Sequence, residues 1–592
     1  MSHALYRLGR FAASHPWRVI GAWVLLSVVV VAASASYGRE LDDSFEAPGL
    51  DSSAALDLLT ATESDAAGLT AQIVVTPNDA AATFFDDDVV ATALANVRSG
   101  ANDLTNVIGS SDPVGALASG REAAIRSGTV SPDGRVALVR VQYPVIDELG
   151  VEDLDELKEF AAAAAIGSPL RIELSGDLFF AFEEPGTGVG ELIGIGAAIV
   201  ILLLAFGSLI AMGLPIGMAL FGLALGVSSM ALITYLIEIP SWAPSVASMV
   251  GLGVGIDYAL FLVTRHREFL AEGMTVVESA GRSVATAGQA VIFAGGTVVI
   301  AILGLGVAGV PFMTAAGVAT SVTVAIMVVA SITLLPAFLG ISGHWINRLG
   351  VHRRSHSAGD RQVGAGWLRW GRHVSNHAWS YAAGVTLLLL GLTAPVLALQ
   401  LGFPGEGSYP DSRTERRAFD LVADGFGPGT NGPLVIAVDI ADDDSVVEPL
   451  RDAIEDDAGI VAVTPAEVDP DAGVATLLAF PTTAPEYDGT VDTIRRHRSA
   501  EFPAVLGDSP AVAHVGGQTA SFSDIGGRVT DRRPAFIAAV IFLSFILLMF
   551  DFRSVLVPLK AALLNLLSIG AAYGVLVMVF QWGWGKGLIG LE

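Results

Sequence analysis

Apolar runs of about twenty residues alternate with polar stretches along this chain, and two of the polar stretches are long enough to be domains. The runs at 19–36, 189–210, 212–237, 245–264, 284–307, 314–341, 381–401, 534–550 and 555–580 approach or exceed the ~20 residues a helix needs to cross a bilayer. Nine membrane helices are therefore expected. Within the polar stretch 37–188, residues 71–76, 135–143 and 170–175 read as strands, and 53–63, 88–99 and 153–165 as amphipathic helices. The second polar stretch reads as strand 434–439, helix 447–456, strands 459–464 and 475–480, helix 490–499 and strand 511–515. That order, βαββαβ, is the ferredoxin-like split unit.

Charge orients these elements. Arg7, Arg10 and Arg18 precede the first run, and Arg348, His352, Arg353, Arg354, Arg361, Arg369 and Arg372 fill the linker after the sixth. Basic flanks stay on the cytoplasmic side. The expected order is a cytoplasmic N-terminus with the first membrane helix (1–36), a first extracytoplasmic α+β domain (37–188) and membrane helices two to six (189–341). A cytoplasmic linker (342–380), membrane helix seven (381–401), a second extracytoplasmic α+β domain (402–533) and helices eight and nine (534–592) follow. Such a chain belongs in the cell inner (plasma) membrane.

Composition agrees: 52% of residues are hydrophobic and only 16% charged, and the mean hydropathy is +0.59. The net charge of −27 gathers in the two polar stretches, which argues against nucleic acid as a partner. The absence of cysteine excludes disulfides, thiolate metal sites and cysteine nucleophiles. No Gly-x-x-x-x-Gly-Lys-Ser/Thr loop is present to cradle a nucleotide, and neither a His-Glu-x-x-His motif nor a nucleophile elbow points to an enzyme. No cofactor and no metal are expected.

The candidate chemistry lies in the fourth run. Asp257 sits inside it with no basic residue within two turns, and a carboxylate at membrane depth costs about 2.5–3.5 kcal/mol even on lenient scales. Burial should favour its protonated form, so that it loads and releases a proton near neutral pH. Tyr258 supplies a hydroxyl that can relay a proton. Gly253, four residues back on the same stripe, would let a neighbouring helix approach the carboxylate, and Gly251 and Gly255 form a small-xxx-small pair on another stripe. A structural Asp bonded to an adjacent helix is the plainer alternative. Thr286 and Gln289 of the fifth run are candidate neighbours of the relay, or else a polar helix end at the interface. Phe179, Phe180 and Phe182 precede the second run and are candidates for a lipid path, or else ordinary interfacial aromatics.

The two halves echo one another. Phe45-Glu46-Ala47-Pro48-Gly49 answers Phe403-Pro404-Gly405, Leu174-Ser175-Gly176 answers Val515-Gly516-Gly517, and Phe206-Gly207-Ser208 answers Phe552-Arg553-Ser554. An even number of helices per half makes this a parallel repeat, as in transporters. Counterparts of helices four to six are missing from the second half, so the expectation is a chain cut before its last three membrane helices.

Gly251-Leu252-Gly253-Val254-Gly255-Ile256-Asp257-Tyr258-Ala259-Leu260-Phe261, the Thr286–Gly295 segment and Gly425-Phe426-Gly427-Pro428-Gly429-Thr430-Asn431-Gly432-Pro433-Leu434 resemble the MMPL (mycobacterial membrane protein large) exporters of the resistance–nodulation–division superfamily. The likeness covers the whole chain. It implies a multi-pass helical fold with two ferredoxin-like outer domains, and export of lipids or lipid-linked hydrophobic molecules for the cell envelope. The proton gradient would be the energy source, and Asp257 and Tyr258 would match the first of two Asp-Tyr pairs. Accessory envelope proteins or an oligomer are candidate partners beside the membrane and the lipid. The alternatives are a non-transporting scaffold or lipid sensor of the same fold, or a multidrug exporter.

Overall fold

The computed structural model describes residues 2–39, 41, 47–62, 67–183, 189–347, 365–399, 402, 405–441, 443–470 and 472–585. It divides into two compact units, one of Met1–Asp42, Gly186–Gln400 and Asp531–Glu592, the other of Asp43–Pro185 and Leu401–Thr530. Residues 348–364 of the arginine-rich linker, the first Phe-Glu-Ala-Pro-Gly turn up to Glu46, and Phe403 and Pro404 of its echo lie outside the described residues.

The first unit is helical: α1 (Ser2–Ser14), α2 (Pro16–Tyr37), α9 (Val189–Phe206), α10 (Leu209–Ile233), α11 (Ala243–Ala271), α12 (Val276–Leu303), α13 (Pro311–Ser342), α14 (Ala365–Asn376), α15 (Ala378–Thr393), the part of α20 (Gln518–Phe552) from Asp531 onward, and α21 (Leu556–Leu576). Eight of its segments are long and apolar enough to cross a membrane; Leu192–Phe206 is apolar but shorter. The helix at the expected second span, 189–210, ends at Phe206. Gly207 turns the chain at φ +60°, and the Ser208 side chain then caps α10 by accepting the Ala211 N–H. The chain is a multi-pass membrane protein.

Small residues set the packing here. A Cβ at Gly251 would lie 3.1 Å from Thr323 Cγ2, and one at Gly255 would lie 3.0 Å from both Ala219 Cβ and Met327 Sδ. Those two glycines therefore seat α11 against α10 and α13, as small-xxx-small pairs do in membranes. The amphipathic α1 lies along α12 and α13. A Cβ at Gly9 would meet Val284 Cγ2 at 2.7 Å, and one at Gly340 would meet the Ala13 carbonyl at 2.4 Å. Where α11 leaves its apolar stretch, buried Ser279 Oγ lies 2.8 Å from His266 Nδ1 and donates to the His266 carbonyl at 2.7 Å, joining α11 to α12.

The second unit carries two antiparallel sheets. The first comprises β1 (Thr70–Pro77), β2 (Gly109–Ser110), β3 (Ala137–Gln142) and β4 (Leu170–Ser175) in the order β2-β3-β1-β4. The second comprises β5 (Leu434–Asp439), β6 (Ile460–Val463), β8 (Val474–Pro481) and β9 (Val512–Gly516) in the order β6-β8-β5-β9, with β7 (Glu467–Asp469) on β8. With helices α4 (Asp88–Asn102) and α7 (Val151–Ala165), the first sheet buries Ile73, Val75 and Val139 against Leu94, Leu154 and Leu157. Short α5 (Pro113–Ala118), α6 (Arg121–Arg126) and α8 (Asp177–Phe182) complete that half. The second sheet packs Ile436, Val438 and Leu477 on Leu450 and Ile454 of α17 (Val447–Glu455), Ile494 of α18 (Asp488–Arg496) and Phe502 of α19 (Phe502–Leu506).

Each sheet is also covered on its other face, and by a helix from the other half of the chain. Helix α16 (Thr414–Phe426) lays Ala418 and Val422 on Val74, Val136 and Leu138. Helix α3 (Asp51–Ala61) lays Ala55 and Leu59 on Ala437 and Val474. Burial on both faces explains why β1 is buried at every position after its first instead of alternating.

Candidate functional site in the membrane helices

Helix α11 has two unlike sides. Gly251, Gly255, Ala259, Leu262, Val263 and His266 are buried, whereas Met249, Gly253, Asp257 and Phe261, spaced four residues apart, are exposed. Met249 and Phe261 are 62% and 61% exposed. Asp257 therefore does not occupy the packed interior that its place in an apolar run suggests. A Cβ at Gly253 would meet nothing within 4 Å, so among the described residues no helix closes over the carboxylate. The reason is rotational: the packed glycines and Asp257 lie on different stripes of one helix.

Tyr258, the next residue, turns the other way. It is half-buried, and its ring lies beside Gly295 of α12, where an added Cβ would stand at contact distance, 3.4 Å from Tyr258 Cε2. The contacts Tyr258–Gly295 and His266–Ser279 bracket the stretch of α12 that carries Thr286 and Gln289. Thr286 is exposed and donates to the Arg282 carbonyl of its own helix at 2.9 Å, which is how a threonine satisfies itself in a helix interior. Gln289 is half-buried one turn further on. A carboxylic acid on a bare face of a membrane helix tolerates lipid when protonated and demands water or a polar partner when ionised. That difference is what a proton-driven device needs.

The three phenylalanines separate in the sheet unit. Phe179 and Phe182 are 3% and 8% exposed and belong to the core of the first sheet. Phe180 packs edge-on against Phe522, with ring centroids 4.9 Å apart. Phe179 and Phe180 line a cavity of about 40 Å³ together with Gly405, Glu406, Tyr409, Glu415, Gln518 and Phe522, while Phe182 does not. That volume suits a water molecule rather than an acyl chain.

Glu406 of this cavity was not singled out from the sequence. Its Oε1 accepts the Gly176 N–H at 2.9 Å. Burial, with the nearby Asp177 and Glu415 charges adding to it, pushes its carboxyl up to about 8. Asp177 is likewise raised by burial, although it accepts the Thr70 hydroxyl at 2.7 Å. No sequence pattern marks Glu406, because Gly176, Asp177, Phe179 and Phe180, which help to enclose it, come from the other half of the chain.

The comparisons agree with this architecture. Residues 44–380 match the MMPL family. Membrane protein YdfJ of Bacillus subtilis is 34% identical over 589 residues, which cover 98% of this chain and 78% of YdfJ. The mycolic acid-containing lipids exporter MmpL11 of Mycolicibacterium smegmatis is 31% identical over 65% of this chain and 41% of that protein. The heme uptake protein MmpL11 of Mycobacterium tuberculosis is 30% identical over 66% of this chain and again 41% of the relative. The chain thus spans less than half the length of these two relatives. By the extent of the family match and by its identity to YdfJ, this chain belongs to the MMPL family.

Proposed function

We propose that this protein exports lipids or lipid-linked hydrophobic molecules across the inner membrane, driven by the proton gradient, with Asp257 as the proton carrier and Tyr258 as its relay partner. The observation that carries this reading is the carboxylate on the bare stripe of α11, one residue from a tyrosine held against α12. Protonation of Asp257 removes the charge that keeps this face from sliding along lipid or an apolar neighbour. Release of the proton restores it, and the alternation moves α11. The name of the M. smegmatis relative supplies the substrate class.

The same reading places the N-terminus in the cytoplasm and the sheet unit outside. It also takes both halves of that unit as ferredoxin-like domains of a parallel repeat. Supporting this, the two sheets share one strand order. Arg7, Gly9, Arg10, His15 and Trp17 recur, in the same order and spacing, as Arg369, Gly371, Arg372, His377 and Trp379. Thr286 and Gln289 would serve as polar neighbours on α12.

The test is lipid transfer from proteoliposomes under an imposed pH gradient, with a pH dye reporting proton flux. The wild-type chain should move lipid outward as protons enter, and an uncoupler should stop both. Asp257→Asn should abolish both fluxes at unchanged expression, and Tyr258→Phe should slow them less. Lipid transfer that survives in Asp257→Asn would remove the proposal, as would inward movement of a heme-like substrate in place of export.

A further inference from the structure

Far from Asp257 in the sequence, a second cluster gathers where α18 ends. His497 and Glu501 begin and end a five-residue π-helical turn that continues α18, and Asp457 lies in the turn between α17 and β6. Their ligand atoms all lie within 4.8 Å of one another. Helical turns of this widened kind are rare and concentrate at functional sites.

His497 is 0% exposed, yet neither of its ring nitrogens has a hydrogen-bond partner. An imidazole offers at least one donor, and when neutral one acceptor, so burying both without partners is unfavourable unless something else engages them. The ring is aimed at the acidic pair: Nδ1 lies 2.5 Å from Glu501 Oε2, out of line for a hydrogen bond, and Glu501 Oε2 is itself without one. The Phe502 ring stacks on the imidazole at 5.7 Å and fixes its plane. Asp457 and Glu501 supply the two carboxylates that lie beside this ring. Arg496 brings positive charge to Asp457 and, at 4.0 Å, to Glu501 Oε1, but the two ring nitrogens of His497 stay unengaged.

We infer that Asp457, His497 and Glu501 form a binding site for a divalent cation, with Zn²⁺ the best fit. One imidazole nitrogen and two carboxylate oxygens suit zinc, at bond lengths of about 2.0–2.2 Å, whereas calcium and magnesium prefer all-oxygen shells. The three ligand atoms already lie within 4.8 Å of one another, and side-chain rotation would bring them to tetrahedral spacing around an ion. Arg496 donates to both Asp457 oxygens, at 2.8 and 2.5 Å, and orients that carboxylate from outside, as outer partners of metal ligands do. Glu501 is 24% exposed on its side chain, which leaves room for a water as fourth ligand and a way in for the ion. The cation would tie the α17–β6 turn to the end of α18.

The test uses the full chain in detergent, stripped with a chelator, loaded with Zn²⁺ and passed through a desalting column. Metal analysis should find one tightly held zinc per chain. His497→Gln and Glu501→Gln should each lose that equivalent. His377→Gln, which removes the exposed His373–His377 pair where zinc could bind adventitiously, should keep it. X-ray absorption at the zinc edge should show a single imidazole among nitrogen and oxygen ligands. Should His497→Gln fail to fold, the partly exposed Glu501→Gln decides. Zinc content equal in the wild type and Glu501→Gln, or no retained zinc at all, would overturn the inference.

Discussion

The sheet unit contains the same junction built twice. At one, α3 crosses to the second sheet and Asp51, its first residue, accepts the Val515 N–H of β9 at 3.0 Å. At the other, α16 crosses to the first sheet and Thr414, its first residue, accepts the Leu174 N–H of β4 at 2.9 Å. Leu174 and Val515 occupy matching places in strands of matching rank. The charges, however, are inverted. At the first junction the acid is on the helix, with Arg498 at 2.5 Å and His514 at 2.7 Å. At the second the acid is Glu173 on the strand, held by Arg417 of the helix at 2.8 Å and by Arg171 at 2.8 Å. What the two share is a helix start that captures a strand N–H, and small side chains under the helix. The sign of the charge is free to exchange sides as long as an acid meets a base.

The comparison predicts that bulk under the helices matters more than charge. A Cβ at Gly516 would lie 2.7 Å from Ala55 Cβ, and one at Gly425 would lie 3.0 Å from Val136. Gly516→Leu and Gly425→Leu should each destabilise the sheet unit by roughly 3 kcal/mol, the upper range for overpacking, as read by thermal melting in detergent. Similar losses in both would sharpen the equivalence, and a loss in one alone would break it.

Charge comes next. Glu173→Ala should cost about 2 kcal/mol, because it strips a nearly buried acid from two guanidinium groups and from the Thr414 hydroxyl. Asp51→Asn keeps an acceptor for the Val515 N–H and should cost about 1 kcal/mol. Burial alone would raise both carboxyls. Arg417, Arg171 and Thr414 outweigh it at Glu173, and His514, the Val515 N–H and Arg498 outweigh it at Asp51, so both are held below their ordinary range. Their stabilisation is therefore present above the unfolded values near pH 4 and is lost as pH falls through the lowered ones.

Glu406 runs the other way. Its carboxyl, raised to about 8, favours the folded state most below its ordinary value of 4.5, and that contribution is lost as pH rises through 8. Glu406→Gln should accordingly raise the melting temperature at pH 9 by ~2–4 °C and leave it almost unchanged at pH 4. Thr414→Ser, which keeps the hydroxyl, should be the mildest change, within ~0.5 kcal/mol.

Much of this architecture is legible in the sequence. The strands at 170–175 and 434–439 fall where the alternating Val, Ile and Leu residues put them. Two-residue β2 and three-residue β7 carry too little apolar pattern to register. Helix α16 is hidden by its charged opening, Thr414-Glu415-Arg416-Arg417, although Ala418, Leu421 and Val422 have helical spacing and all reach the first sheet. Helix α12 begins eight residues before its apolar run, at Val276 instead of 284, because the Thr275 side chain caps it by accepting the Glu278 N–H. Asp257 stands out in the sequence, but its exposure does not. Which stripe of α11 is covered depends on where α10 and α13 lie, and periodicity along one helix cannot report that.

The exchanged helices also set a timetable for synthesis. The first sheet leaves the ribosome with Val74, Val136 and Leu138 bare, since α16 is made only after seven apolar segments have emerged. Ala55 and Leu59 wait longer, for β5 and β8 to form their seat. Contacts so distant along the chain form slowly, and exposed apolar surface meanwhile invites aggregation. A nascent chain arrested in the linker at 342–380 would display both unfilled surfaces at once. Its sheet-forming segments would be open to a protease or a holding chaperone, and release of synthesis through α16 and β9 would close both surfaces.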